Sequence, residues 1–284
     1  MKRAATSCSV LLLFTLLFVP IEVFAENARE LARSAYFQIE AHPFEPDELN
    51  SAIQKLNTAR QQDPKEPFVY LATSLVILTK GYKIGDRYEA RNYVEGSVEQ
   101  SVKIAEHAMG LDPGLGHSYS HLAKLRIVTK DLKDAERLIN KAKELDNGSF
   151  YPWYFEGILY EKQGDFQAAI RAFDNAKSKI SMKHQSVMLN TRRQVIAQLT
   201  EDAVLQEKLL KENIAQAPNN AHLYGNYGQF LMCQGRFREA VVQWEKALSI
   251  ASYPRAVEQL AKAKLFVAQN KKEGDCACGS VKCH

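Results

Sequence analysis

The last nine residues of the chain contain three cysteines and a histidine, the residue types that bind soft metal ions. Cys276 and Cys278 stand two apart, and Cys283 directly precedes His284. Three thiolates and one imidazole complete the tetrahedral shell of a structural zinc site of the Cys₃His type. The spacing therefore makes zinc a candidate ligand of this tail.

Two other chemistries fit the same residues. Cys283-His284 matches the end of the Cys-x-x-Cys-His sequence that attaches c-type haem, with Ser280 where the first cysteine would stand. Cys278 offers a longer variant, Cys-x4-Cys-His. In an oxidising compartment the cysteines would instead form disulfides and hold no cofactor. We predict no cofactor, and keep zinc and haem c open as alternatives.

The tail also resembles the C-terminal zinc motif of SecA-type proteins. That motif runs Cys-x-Cys, a Gly-Ser turn, then Cys followed by Cys or His, and here Gly279-Ser280 takes the place of the turn. The resemblance implies a metal-organised tail held by Cys276, Cys278, Cys283 and His284.

No other part of the sequence indicates a catalytic centre. His117 and His121 stand four apart, a spacing of paired metal ligands on a helix, but no glutamate follows His117 as His-Glu-x-x-His requires. We interpret them as a surface or groove-lining pair. The sequence has no Gly-x-Ser-x-Gly elbow, Walker loop or dinucleotide-binding glycine pattern. We therefore predict that the protein is not an enzyme.

The rest of the chain consists of repeated helical signals. The clearest unit contains Tyr224, Tyr227, Gly228, Leu231, Gly235, Ala240, Trp244, Ala247 and Pro254. A similar order recurs at Trp153, Gly157, Tyr160, Gly164, Ala169, Phe173 and Ala176, and more weakly at Tyr119, Leu122, Ala123, Ala135, Ile139 and Ala142. The two earlier units, which start at 116 and 150, are offset by 34 residues.

These residues make the chain similar to the tetratricopeptide-repeat family. In that family, small residues lie where the two helices of a pair come close, and large ones fill the gaps between pairs. The resemblance implies an all-α fold, a right-handed α-solenoid of about six antiparallel helix pairs with a capping helix and a cysteine-rich C-terminal tail. We divide the chain into a signal segment (1–25), a solenoid (26–270, with its clearest repeats at 116–149, 150–183 and 221–254) and the tail (271–284).

By the same resemblance, the first helix of each pair lines a concave groove that binds a protein or peptide. The residues expected there are His117, Ser120, Lys124, Tyr151, Tyr154, Ile158, Lys162, His222, Gln229 and Met232. Aromatic and methionine side chains suit such an interface. The predicted function is a non-enzymatic interaction scaffold. The alternative is a redox or metal-handling protein that uses the tail, with the solenoid as its docking arm.

The N-terminal residues have the pattern of a secretory signal peptide. Lys2 and Arg3 precede an apolar stretch at 10–19, and a small-residue cleavage site ends at Ala25. Ten apolar residues are too few to span a bilayer comfortably. We expect cleavage before Glu26, a periplasmic or secreted protein, and no stable membrane insertion afterwards.

The charge balance argues against a nucleic-acid partner. Cleavage would reduce 37 basic residues to 35 and 33 acidic residues to 32, so the net charge falls from +4 to +3. This excess is too small to indicate binding to nucleic acid or to an anionic membrane.

One segment, residues 80–96, is longer than a helix pair requires. It carries Tyr82, Tyr88 and Tyr93 among charged residues. We expect it to lengthen the second helix of its pair. The alternative is a loop at one edge of the array that grips a partner.

Overall fold

The computed structural model describes residues 27–83 and 85–271. The predicted signal segment and the four candidate Cys/His ligands of the tail lie outside these ranges. The helices are α1 (Ala28–Ala41), α2 (Pro46–Gln62), α3 (Pro67–Gly81), α4 (Ser97–Leu111), α5 (Gly116–Val128), α6 (Leu132–Leu145), α7 (Phe150–Gln163), α8 (Phe166–Lys177), α9 (Lys183–Leu199), α10 (Ala203–Gln216), α11 (Ala221–Cys233), α12 (Phe237–Ile250) and α13 (Pro254–Ala268).

Consecutive helices pack as six pairs, from α1–α2 to α11–α12, and α13 packs on α12 at the C-terminal end. The first helices of neighbouring pairs also contact each other, as α1 does α3 and α5 does α7. This stacking confirms the predicted solenoid of helix pairs. Each pair buries its apolar face only by contact with its neighbours.

Glycine lets the two helices of a pair approach closely. A Cβ atom added to Gly157 would lie 2.3 Å from the ring of Phe173, and one added to Gly228 would lie 2.8 Å from Trp244. Phe173 is fully buried and Trp244 nearly so. The small and large residues singled out in the sequence therefore pack against one another, as the family resemblance implied.

The turns inside the pairs share their local chemistry. Asp131, Asp165 and Asp202 precede α6, α8 and α10, and each side chain accepts a hydrogen bond from a backbone N–H of the first helical turn. The residue before Asp131 and Asp165 has a positive φ, which is 64° at Lys130 and 82° at Gly164. A left-handed residue ends one helix and the aspartate begins the next.

The prediction that residues 80–96 lengthen a helix is wrong. Helix α3 ends at Gly81 and α4 begins at Ser97. The segment between them, which we call the insert, forms one antiparallel bridge between Tyr82 and Tyr93 and a single 3-10 turn, Ala90–Asn92. Gly85 and Gly96 adopt positive φ values of 108° and 78°, which a continuing helix does not allow.

Among the described residues, no helix combines the length and apolar character that crossing a bilayer requires.

Candidate partner-binding groove

The first helices of the pairs meet across the concave side of the solenoid. Phe37 of α1 stacks on Tyr151 of α7, with ring centroids 6.1 Å apart, and lies 6.5 Å from His184 of α9. Phe44, just after α1, lies 5.6 Å from His222 of α11. The superhelix thus brings the first pair back against the sixth, so the chain itself occupies part of the groove.

A hydrogen-bonded chain crosses this interior at His121, which is fully buried. Its Nδ1 lies 2.9 Å from the Tyr36 hydroxyl, and its Nε2 lies 2.9 Å from the Ser74 hydroxyl. The Ser74 hydroxyl donates to the carbonyl of Ser101, so it accepts from Nε2–H, and Nδ1 accepts from Tyr36. The interpretation of His121 as a surface or groove-lining residue is therefore wrong.

His117 lies beside it in an aromatic surround. The ring centroids of Tyr36, Tyr151 and Phe68 are 4.7, 5.0 and 5.4 Å from that of His117. Its Nε2 is buried and has no hydrogen-bond partner among the described residues. Burial lowers the pKa of His117 to about 4 and that of His121 to about 3, so both rings are neutral at pH 7.

A buried ion pair lies one turn further along α5. Lys124 Nζ is 2.7 Å from Glu40 Oε1, and the two side chains are only 4% and 3% exposed. Burial alone would raise the pKa of Glu40, but the charge of Lys124, and next that of Arg87, outweigh it and lower the pKa to about 2. The carboxylate of Glu40 is therefore charged, and it holds α1 against α5.

These buried groups make the fold sensitive to acid. Below its ordinary pKa of 6.5 each histidine takes up a proton when unfolded, whereas His117 and His121 resist protonation down to about 4 and 3. Glu40 causes a second loss of stability at lower pH, because its pKa falls from the ordinary 4.5 to about 2 in the folded protein. We expect the free energy of unfolding to be constant near pH 7.5 and to decrease steadily below pH 6.5. Urea titrations at successive pH values measure this.

The variant His117→Phe separates the contribution of one ring. Phenylalanine fits the aromatic surround and removes the unsatisfied nitrogen, so we expect a gain of about 1 kcal/mol at pH 7 and a shallower decrease below pH 6.5. His107→Phe is the control, because this ring is exposed on α4 and contacts Tyr70, which is not among the rings around His117. An unchanged pH slope in His117→Phe would contradict the assignment.

The insert covers the next stretch of the groove. Asp86 accepts hydrogen bonds from Lys162 Nζ at 2.6 Å and Arg192 Nη1 at 3.0 Å, and Glu89 accepts one from Lys162 at 3.0 Å. The buried ring of Tyr88 lies 4.9 Å from the Arg192 guanidinium. These partners stand on α7 and α9, two or more repeats away from the insert.

One of the side chains that contact the insert, Arg192, is held in place by a buried ion pair. Arg192 donates to both carboxylate oxygens of Glu161, with its Nε 3.1 Å from Oε2. Their side chains are 8% and 4% exposed. A bidentate pair of this kind orients the guanidinium, so Arg192 is positioned before it contacts the insert.

Four aromatic side chains come together where the first pair and the insert reach the sixth pair, and we call them the aromatic lip: Phe44, Tyr82, His222 and Tyr253. The ring of Phe44 lies 5.6 Å from both Tyr82 and His222, and that of His222 lies 4.7 Å from Tyr253. Phe44 is 47% exposed although it makes these contacts. The lip therefore presents apolar surface to solvent.

A polar stripe continues from the lip along α11. His222 and Asn226 are exposed, and Gln229 and Cys233 are half-buried one and two turns further on. The spacing of three or four residues places them on one helix face. Gln229 Nε2 lies 3.6 Å from Cys233 Sγ. The stripe carries amide, imidazole and thiol groups, with no charged residue among its four positions.

Comparison with known proteins identifies the repeats. No protein-family model matches the sequence. A stretch of 54 residues is 39% identical to "TPR repeat-containing protein MJ0941" of Methanocaldococcus jannaschii, covering 19% of this chain and 16% of that protein. A stretch of 173 residues is 24% identical to human "Protein O-mannosyl-transferase TMTC1", covering 60% of this chain and 20% of that protein.

Two solved structures share the fold. Yeast Tom70 superposes with a TM-score of 0.54 at 17% identity, over 86% of this chain and 55% of that one. A monomeric mutant of IFIT1 with Gppp-AAAA gives a TM-score of 0.59 at 12% identity, over 88% and 57%. The chain has the tetratricopeptide-repeat fold. It spans at most a fifth of the two sequence relatives and just over half of each solved structure.

The predicted groove residues of this solenoid fall into three groups. Five are buried against the chain itself on α5 and α7, namely Ser120, Lys124, Tyr151, Tyr154 and Ile158, and Met232 is buried in the core around Trp244. Lys162 pairs with the insert, and His117 lies in its aromatic surround. Only His222 and Gln229 belong to the open stripe.

Several residues of the groove escaped the sequence analysis. Glu40, Glu161 and Arg192 lie on helices whose charges look like those of a solvated face, and Phe44 lies in a turn. One signal in the sequence could have located the contacts of the insert with α7 and α9. Asp86 and Glu89 stand close to tyrosines in a segment that is too long for its repeat.

The metal hypothesis concerns residues outside the described ranges. Within those ranges, no group of three or more His, Cys, Asp or Glu side chains is placed to hold a metal ion. Cys276, Cys278, Cys283 and His284 stay a prediction from spacing.

Proposed function

We propose that the protein is a non-enzymatic scaffold that binds a segment of another protein at the aromatic lip and along the polar stripe of α11. The observation that carries this proposal is the exposure of Phe44 beside a groove that the insert occupies at α7 and α9. Exposed aromatic side chains beside a concave surface are the usual anchors of protein interfaces.

The chemistry of the stripe favours a polypeptide over a nucleic acid. Asn226 and Gln229 can donate to and accept from the backbone of an extended segment, whereas phosphate binding requires several positive charges. Two cations stand beside the lip: Arg87, whose guanidinium lies 5.5 Å from the ring centroid of Phe44, and Arg255, whose charge acts on Tyr82 and Tyr253. None of the four positions of the stripe is charged. We infer that the bound segment inserts an apolar or aromatic side chain against Phe44 and His222.

The place of action is proposed from the N-terminal sequence. Residues 1–25 have the pattern of a cleaved export signal, so the proposed partner is an exported protein met in a periplasmic or extracellular space. The transferase name of the human relative belongs to that protein, only 20% of which the chain spans. We propose no catalytic role for this chain.

Light-induced cross-linking tests the proposed interface. A benzoylphenylalanine introduced in place of Phe44, in cells of the source organism, is expected to give a discrete adduct with one partner. The same group in place of Val242, 58% exposed on α12, is the matched control. Equal adducts at both positions, or none at Phe44, would refute the interface.

The purified partner then allows affinity measurements. We expect Phe44→Ala to weaken its binding at least about tenfold, because an aromatic anchor contributes a large share of binding energy. Val242→Ala should leave the affinity unchanged.

A second candidate function rests on the spacing of Cys276, Cys278, Cys283 and His284. It is a metal- or haem-carrying tail with the solenoid as its docking arm. Intact mass, metal analysis and a visible spectrum of the protein from its native compartment decide it. Stoichiometric zinc supports a metal-organised tail, a haem-sized mass increment with a Soret band supports a cytochrome-like protein, and bare protein rejects both.

A further inference from the structure

The insert has hydrogen bonds of its own, within it and at its junctions with α3 and α4. Lys83 N–H donates to the Asn92 carbonyl at 2.8 Å, and Val94 N–H donates to the Gly81 carbonyl at 2.7 Å. The Tyr93 hydroxyl donates to the Arg87 carbonyl at 2.7 Å. Since these bonds lie within the insert and its junctions, it can keep its shape when its contacts with other repeats break.

Its contacts with α7 and α9 differ from those of ordinary repeats. In a solenoid each repeat contacts its immediate neighbours, but Asp86 lies 76 residues before Lys162 and 106 before Arg192. A non-helical segment that places side chains on the first helices of distant repeats, here from the turn at residues 86–89, occupies the position of a peptide ligand.

The receiving surface is complete without the insert. The pair between Arg192 and Glu161 joins α9 to α7, so it remains when the insert leaves. Lys162 has no acidic partner among the described residues other than Asp86 and Glu89. A vacated surface would therefore present the cation of Lys162, without its carboxylate partners, and the Nη1 donor of Arg192 beside Tyr154. These match a ligand with carboxylates on either side of an aromatic ring.

The closing ion pairs are only partly buried. Asp86 is 30% exposed and Lys162 19% exposed, and water at such positions weakens the attraction between charges. The packing of Tyr88 and Tyr93, both buried, therefore contributes most of the free energy that keeps the insert in the groove. A competing segment that supplies the same aromatic packing and the same carboxylates can replace the insert.

We propose that the insert is a built-in occupant of the groove, and that the surface beneath it binds an acidic, tyrosine-containing peptide of a partner. The pattern to be matched is Asp-x-Tyr-Glu, as in Asp86-Arg87-Tyr88-Glu89. The inference rests on the proposed scaffold function and adds a second, normally closed site next to the aromatic lip.

A peptide experiment tests this in the full-length protein. The probe is a fluorescein-labelled synthetic peptide of residues 81–96, followed by fluorescence anisotropy. The variant Asp86→Ala/Glu89→Ala loosens the insert and is expected to bind the probe at least about tenfold more tightly than the wild type, because affinity scales with the open fraction. Equal binding to both proteins, or none to either, would overturn the proposal.

Charge reversal provides the specificity control. Lys162→Glu in the loosened protein should abolish binding of the probe, and a probe carrying lysine in place of Asp86 and Glu89 should restore part of it. If the double variant loses its helical circular dichroism, Glu89→Gln alone is used, with a smaller but measurable gain expected. Cross-linking at Phe44 does not depend on the insert. If the probe does not bind but the Phe44 adduct with a partner still forms, only the site beneath the insert is rejected, and the proposed scaffold function stands.

Discussion

Replacing Glu40 by leucine is expected to lower the free energy of unfolding by about 3–5 kcal/mol, because it leaves the buried ammonium of Lys124 without its counter-ion. The pair is almost fully enclosed, and Arg87 adds a second positive charge to the same environment. Urea unfolding followed by circular dichroism measures the loss. It should appear in the transition of the N-terminal and central repeats, which this pair joins.

Two controls separate charge burial from loss of side-chain volume. The double variant Glu40→Leu/Lys124→Met removes both charges and should recover most of the stability, since paired apolar replacements of buried ions are often neutral. Glu245→Ala breaks the exposed pair with Lys264, whose side chains are 52% and 56% exposed, and should cost less than about 1 kcal/mol. A loss in Glu40→Leu no larger than this would contradict the assignment.

Enlarging Gly157 is expected to destabilise the contact between the two helices of the fourth pair. A Cβ there would lie 2.3 Å from the Phe173 ring, so Gly157→Val must push α7 and α8 apart. Overpacking of this kind costs about 1–3 kcal/mol, and sometimes more. Thermal and urea unfolding measure the change.

Truncating the opposing ring tests whether the clash is the cause. Phe173→Ala alone should cost about 3–5 kcal/mol, but Gly157→Val in that background should cost much less than in the wild type, because the two sites couple. Gly110→Ala is the matched control, since nothing lies within 4 Å of its added Cβ, and it should be neutral or slightly stabilising. Additive losses would show that Gly157 does not oppose Phe173.

The sequence was most informative where the physical determinant is local. Gly157 and Gly228 predict close helix contacts, because the small and large residues of one pair stand at a fixed spacing along the chain. The predicted capping helix is present as α13, which packs on α12.

The groove was less predictable because its contents come from distant parts of the chain. Glu40 meets Lys124 across 84 residues and Asp86 meets Arg192 across 106. Such pairs depend on how strongly the superhelix curves, which small rotations between repeats determine. Tyr151 and Tyr154 suit an open groove by register, yet both are buried, so alanine substitutions there would test folding rather than binding.

The central claim is that the aromatic lip, and not the cysteine tail, binds the partner. The most direct test measures the affinity of the cross-linked and purified partner for three proteins: the wild type, a chain ending at Lys271, and Phe44→Ala/His222→Ala. We expect the shortened chain to bind as tightly as the wild type and the lip variant to bind at least about tenfold more weakly. Loss of binding in the shortened chain, with full binding by the lip variant, would contradict the claim and assign the function to the tail.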